Sequence, residues 1–112
     1  MELEVSSQSQ DGHTVVAAAG EIDVFTAPQL DAELARATSA GASRIVVDLS
    51  QVDFLDSTGL SVLVQTLKRV REAEGGSLAV VVTADRVAKV FRLTGLDTLI
   101  PIHPTVASAL AG

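Results

Sequence analysis

The chain has 112 residues, a formal net charge of −6, no cysteine, and only three aromatic residues, all Phe. That length fits one domain spanning residues 1–112, large enough to bury a core without covalent staples, and the missing cysteine excludes disulfides, thiolate metal sites and thiol nucleophiles. An acidic surface with no Tyr or Trp argues against a nucleic-acid partner, which would need clustered Lys and Arg or stacking platforms. A module of this charge more readily docks on another protein. The opening stretch MELEVSSQSQDG lacks the basic-then-apolar layout of a secretory signal,. No apolar run approaches the roughly 20 residues that would span a bilayer. The chain is therefore expected to be soluble and cytoplasmic, with no membrane partner.

The hydrophobic period switches repeatedly along the chain, and no repeat or linker divides it. LEV and TVVAAAG are expected to be two strands joined at QDGH, whose Asp-Gly pair is a hairpin signal,. Thr26 and Gln29 have the spacing of a capping box, and Phe25 and Leu30 that of a hydrophobic staple, so a helix is predicted to start there. Leu30, Leu34 and Ala37 would share its inner face, and Gly41 would end it. RIVVDLS has the β-branched character of a buried parallel strand,. After an opening loop, a helix is predicted from about Ser57 to Glu74, with Leu60, Leu63, Val64, Leu67 and Val70 facing the core. SLAVVV is the next strand, ADRVAKVFRLTG a helix ended by Gly95, TLIPI a short strand, and TVASALAG a small last helix. The order β-β-α-β-α-β-α-β-α implies an α/β fold: a mixed, mostly parallel sheet packed with about four helices.

One stretch, DFLDSTGL at residues 53–60, carries more oxygen-bearing side chains than a helix start requires. A helix needs one small capping residue, and Asp56, Ser57 and Thr58 all qualify. Asp53 is expected to satisfy loop amides or to contact a partner, and Gly59 to let the backbone turn closely. At about 100° per residue, Val62 falls nearly opposite the predicted core stripe. It is therefore expected to be exposed, either as a lone surface valine or as an apolar anchor for a partner near Ser57. His13 and His103 stand alone and suggest no metal site or cofactor. Asp48, ending a buried strand, lacks the acidic pair and late lysine of a phosphoaspartate receiver.

GEIDVFTAPQL, VVDLSQVDFLDSTGLSVLVQTLKRV and VFRLTGLDTLIPIHPTVASAL together resemble the STAS domain of anti-sigma factor antagonists, the anti-anti-sigma factors of partner-switching pathways. The resemblance spans nearly the whole chain and rests on G-E-I-D, D-S-T-G-L and F-R-L-T-G-L in that order. It implies a regulatory protein, not an enzyme, in which Ser57 is phosphorylated. The kinase is commonly the anti-sigma factor itself. The bare serine binds that partner and frees a sigma factor; the phosphorylated serine does not, until a phosphatase resets it. The resemblance also places Asp23 beside Ser57, makes Asp56, Thr58 and Gly59 its motif neighbours, and implies a monomer.

Two other readings compete with this one. A STAS module could serve a different signalling route as scaffold or ligand sensor. An enzyme is poorly supported, because the sequence has no Gly-rich phosphate loop, no Ser with a His base in motif context and no metal cluster.

Overall fold

The computed structural model describes residues 2–112. Its first feature follows from a single dipeptide. Asp11 and Gly12 both take positive φ, 52° and 79°, which is the two-residue turn whose twist matches that of antiparallel strands. It joins strand β1 (Leu3–Gln10) to β2 (His13–Ile22) with Gln10 opposite His13. Both strands run further than the sequence pattern suggests: the polar run SSQSQ pairs with the first half of β2, from Ser6 opposite Ala17 to Gln10 opposite His13, and β2 continues to Ile22.

The remaining elements are α1 (Ala27–Ser39), β3 (Arg44–Leu55), α2 (Ser57–Arg71), β4 (Ser77–Val81), α3 (Asp85–Thr94), a 3-10 turn at Leu96–Thr98, β5 (Ile102–His103) and α4 (Val106–Ala111). This is the predicted order of alternating strands and helices. The sheet runs β1-β2-β3-β4-β5; β1 is antiparallel to β2, and every later pairing is parallel. Because the strand order follows the chain order, each right-handed crossover moves in the same direction. Helices α1, α2 and α3 therefore share one face, where Leu30, Leu34, Leu63, Val70, Val87 and Phe91 join the core. Only α4, which follows the last strand, covers the other face, setting Ala109 over Val15, Val46 and Val81.

Strand β3 is the element that the sequence pattern understates. QVDFL was expected in a loop, yet the strand continues through it to Leu55. The register with β2 slips twice: Ala17 pairs with Asp48 but Ala19 with Gln51, and Gly20 pairs with Val52 but Glu21 with Phe54. Each slip is a β-bulge that inserts one extra residue into β3 and re-aims the side chains after it. The residues of β3 that reach the helix-covered core are Ile45, Val47, Leu49, Val52 and Leu55. Their spacing changes from two to three at each bulge, which hides the strand from a search for period-two alternation.

Helix α2 corrects one expectation. Val62 is buried, with 9% of its surface exposed, and belongs to the main core. The stripe that faces the sheet is Gly59, Val62, Leu63, Thr66, Leu67 and Val70, with Leu60 also buried and Val64 half-buried at its margin. This is an i, i+3, i+4, i+7, i+8 pattern, rotated towards Gly59 and Thr66 relative to the stripe of large apolar side chains. A glycine and a threonine contribute no hydrophobic signal, but both are core-facing here. The Thr66 hydroxyl meets its need for a partner by donating to the Val62 carbonyl at 2.9 Å,.

Val62→Ala should therefore lower stability by roughly 1.5–3 kcal/mol, the usual range for losing a buried valine side chain. Val62→Asp should prevent stable folding, because the new carboxylate would be buried without a partner. Urea melts followed by circular dichroism check both; a soluble Val62→Asp protein with the parent midpoint would show this side of α2 to be free.

Candidate functional site

Parallel strands put the loops after β2 and β3 on the same rim of the sheet. Ile22 and Leu55, the last residues of the two strands, are register partners, and the Asp56 amide donates to the Ile22 carbonyl at 3.2 Å. The loop starting at Asp23 and the mouth of α2 are thus neighbours, which brings Asp23 and Ser57 to one end of the molecule.

Asp23 shapes its loop from inside. Its side chain is buried, and Oδ1 accepts the amides of Phe25 at 2.9 Å and Thr26 at 3.0 Å. The Thr26 hydroxyl accepts the Asp23 amide at 2.9 Å and donates to the Glu21 carbonyl at 2.8 Å. The predicted capping box is absent: Thr26 is the N-cap residue of α1 but its side chain turns back to the preceding loop. The predicted staple is absent as well, since Phe25 is 84% exposed. Asp23 instead accepts the amides of Phe25 and of the N-cap residue Thr26, the latter being the amide that the Gln29 side chain would serve in a capping box,.

At the mouth of α2 the capping residue is Asp56. Its Oδ1 accepts the Thr58 amide at 2.9 Å and also the Thr58 hydroxyl. Ser57 is the first residue of the helix, is exposed, and holds no hydrogen bond through its hydroxyl among the described residues. Only its carbonyl is engaged, by the Ser61 hydroxyl at 3.0 Å. Three candidate caps therefore resolve into one working cap, one hydroxyl tied to it, and one free hydroxyl.

Gly59 is buried where α2 meets the strand ends. A Cβ there would lie 2.7 Å from Ile22 Cγ2 and closer still to Leu55 Cδ1. The glycine thus permits close approach of helix and sheet; the turn is made at Asp56, not at Gly59. Asp53 is exposed on β3 as the extra residue of the second bulge, so it stands on a strand and not among loop amides. Val62 lies beneath this surface and cannot touch a partner without unfolding. The large apolar side chains that are exposed here are Val24, at 59%, and Phe25, in the Asp23 loop, with Phe54 partly exposed at the end of β3. The sequence carried a signal for the first two: adjacent apolar residues inside a loop, between a strand end and a helix start.

The other singled-out residues lie apart from this rim or serve the fold. Asp48 accepts the Ser50 amide at 3.0 Å beside the first bulge. His13 is buried at the start of β2, at the far end from Asp23, with Nδ1 3.2 Å from the Asp11 carbonyl. Nδ1 of His103 is 3.0 Å from the Ser108 hydroxyl of α4. Among the described residues no helix is long and apolar enough to cross a membrane.

The STAS domain family profile matches residues 4–109, and the chain belongs to that family. Among characterised relatives, the anti-sigma-B factor antagonist of Staphylococcus aureus is 34% identical over 103 residues, which cover 92% of this chain and 94% of that protein. The crystal structure of an anti-sigma factor antagonist from Mycobacterium paratuberculosis superposes with a TM-score of 0.92 at 33% identity, over 98% of this chain and 92% of the other. The Bacillus cell fate determinant SpoIIAA, solved in its phosphorylated form, shares the fold at a TM-score of 0.72 and 22% identity, over 96% and 97% of the two chains. The resemblance to anti-sigma factor antagonists, a group of regulatory proteins, thus extends over the whole fold.

Four variants separate the structural duties of the motif from any other. Gly59→Ala should cost about 1–3 kcal/mol through overpacking against Ile22 and Leu55, and Leu55→Ala in the same chain should recover part of the loss. Asp56→Ala should cost about 1 kcal/mol, the usual value of an N-cap, whereas Ser57→Ala should change stability by less than about 0.5 kcal/mol. Thermal melts of the four proteins check this set; a Ser57→Ala loss as large as that of Asp56→Ala would make Ser57 a structural cap.

Proposed function

We propose that this protein is an anti-sigma factor antagonist that binds an anti-sigma factor with serine kinase activity, releases a sigma factor, and is switched off by phosphorylation of Ser57. The observation that carries this reading is the division of labour at the mouth of α2. Asp56 already caps the helix, so the exposed Ser57 hydroxyl has no structural duty and is open to a kinase. The resemblance to antagonists of Staphylococcus and Mycobacterium supplies the kind of partner.

Phosphate adds about −1.5 to −2 charge at neutral pH. The helix itself accommodates it: Asp56 engages the Thr58 amide, the Leu60 amide bonds back to the Asp56 carbonyl at 3.3 Å, and the amides of Ser57 and Gly59 remain for an anion,. SpoIIAA, with the same fold, exists in a phosphorylated form. The surroundings are less favourable, since Asp53 and Asp56 add like charge, and a partner surface complementary to a hydroxyl would have to desolvate a dianion. Binding should weaken while the fold stays intact. A phosphatase acting on Ser57 would restore it.

Val24 and Phe25 supply an apolar anchor next to this switch, the place first expected of Val62. Exposed aromatic side chains at the centre of an interface commonly dominate its affinity. Phe25→Ala should weaken anti-sigma binding by about 10- to 30-fold without lowering the melting temperature.

The test uses the cognate kinase and ATP with site mapping by mass spectrometry. Label should fall on Ser57 and vanish in Ser57→Ala; label retained on Thr58 in that variant would sink the assignment. On one phosphorylated sample, circular dichroism and amide shifts should change only near α2's start while partner affinity falls. Shift changes spread through the sheet would point instead to a conformational switch.

A further inference from the structure

The loop between β2 and α1 reverses the usual placement of side chains: its apolar residues stand in solvent and its polar ones lie inside. Val24 is 59% and Phe25 84% exposed, whereas Asp23 and Thr26 on either side of them are buried. The segment from Asp23 to Thr26 contains no glycine or proline. Packing of the two apolar side chains cannot hold the loop, so its shape must come from the polar pair.

That pair is fully occupied with the backbone of its own loop. Asp23 Oδ1 accepts the Phe25 and Thr26 amides at 2.9 and 3.0 Å, and the Thr26 hydroxyl accepts the Asp23 amide at 2.9 Å while donating to the Glu21 carbonyl at 2.8 Å. The Asp23 carbonyl accepts the Ala27 amide at 2.8 Å and so ties the loop to the first turn of α1. Beyond the pair on each side, Ile22 and Ala27 are anchored in the core. A loop held in this way meets a partner already ordered, so the conformational entropy of its backbone is lost on folding and not on binding. Without these bonds Val24 and Phe25 would be just as apolar but would have to be ordered at the moment of contact.

We propose that Asp23 is a positioning residue for partner binding, which acts through Val24 and Phe25 by holding their loop in its docking shape, and not through its charge beside Ser57. The partner is the anti-sigma factor of the proposed function, so this role rests on that reading. The carboxylates of the rim then fall into two kinds. Asp53 is exposed and Asp56 half-buried, and their charge is felt at Ser57; Asp23 is turned inward onto amides of its own loop. Asp23 and Thr26 form one device, in which the carboxylate holds the tip and the hydroxyl holds the base.

The test uses the free full-length chain and its complex with the cognate anti-sigma factor. In the free chain, Asp23→Ala should speed exchange of the Phe25 and Thr26 amides by about 10-fold or more, with no such change in β3 or α2. Asp23→Asn keeps an acceptor oxygen and drops the charge, and should restore slow exchange. In titration calorimetry against the anti-sigma factor, Asp23→Ala should weaken binding about 10-fold and Asp23→Asn by less than about 3-fold. The double variant D23A/F25A should bind within about 3-fold of Phe25→Ala alone, because little is left for the loop to present, whereas a merely structural loss would multiply in both backgrounds. The ratio of affinities for bare and phosphorylated chain should be the same in Asp23→Asn as in the parent. Thr26→Val, which removes the hydroxyl and leaves the carboxylate, should weaken binding as Asp23→Ala does; it decides the matter if circular dichroism shows that Asp23→Ala fails to fold. Unchanged exchange or affinity in the folded variants, equal weakening by Asn and Ala, losses that multiply in the double variant, or an affinity ratio about 10-fold smaller in Asp23→Asn would each overturn the positioning role and leave the proposed function standing. A parent chain that binds no serine-kinase anti-sigma factor would overturn the proposed function, and this role with it.

Discussion

The register pairing of Ile22 with Leu55 is the constraint from which the candidate site follows. It ends two parallel strands at the same level, and the Asp56 amide adds a bond from the mouth of α2 to the Ile22 carbonyl. Two chain segments far apart in sequence are thereby fixed side by side, one making the Asp23 loop and the other opening with Ser57. Gly59 lets α2 come down onto the same two side chains. A larger residue there would push the helix outward and carry Ser57 away from the Asp23 loop. The packing of the core and the geometry of the rim are consequently one problem. Any change at Ile22, Leu55 or Gly59 should be read for its effect on the site as well as on stability.

The two bulges of β3 are what make this alignment possible. Without them the strand would keep its period of two, and Val52 and Leu55 could not both face the helices together with Leu49. With them, the strand overtakes its neighbour β4, which ends in register at Asp48–Val81, and continues paired with β2 alone. The extension carries Asp53 and Phe54 out to the rim. Irregularity in the strand thus positions the polar and aromatic groups around Ser57, in keeping with the tendency of bulges to lie near functional positions.

Most of the architecture was legible in the sequence because each element carried a local signal. Asp11-Gly12 marks the hairpin, the β-branched run RIVVDLS marks the central strand, and Leu30, Leu34 and Ala37 mark the buried face of α1. The misreadings share a different origin: at each of them a long-range contact, or a residue without hydrophobic signal, decides the outcome. The bulges spoil the alternation of QVDFL. Gly59 and Thr66 turn the buried stripe of α2 towards Val62, although neither would be counted as apolar core. At α1 the capping pattern of Thr26 and Gln29 was present, but the Thr26 hydroxyl is drawn into the preceding loop and Asp23, not Gln29, accepts the Thr26 amide, while Phe25 is left in solvent. At the candidate site the sequence offered three equivalent caps at residues 56–58, and only the hydrogen bonds show which of them is used.

That last distinction also bears on how a charge at Ser57 can act. A group that caps a helix cannot be modified without changing the helix, so regulation through it would be inseparable from stability. Here the capping oxygen belongs to Asp56, and the neighbouring hydroxyl is free to gain charge. The amides left at the helix start would offset some of the field of a phosphate within the domain, whereas a partner docked on the bare hydroxyl would have to bury the added charge. Under the proposed function the same modification would therefore be tolerated by folding and opposed by association. Separating the cap from the proposed modification site by one position would let a marginally stable domain carry a charge switch without risking its own fold.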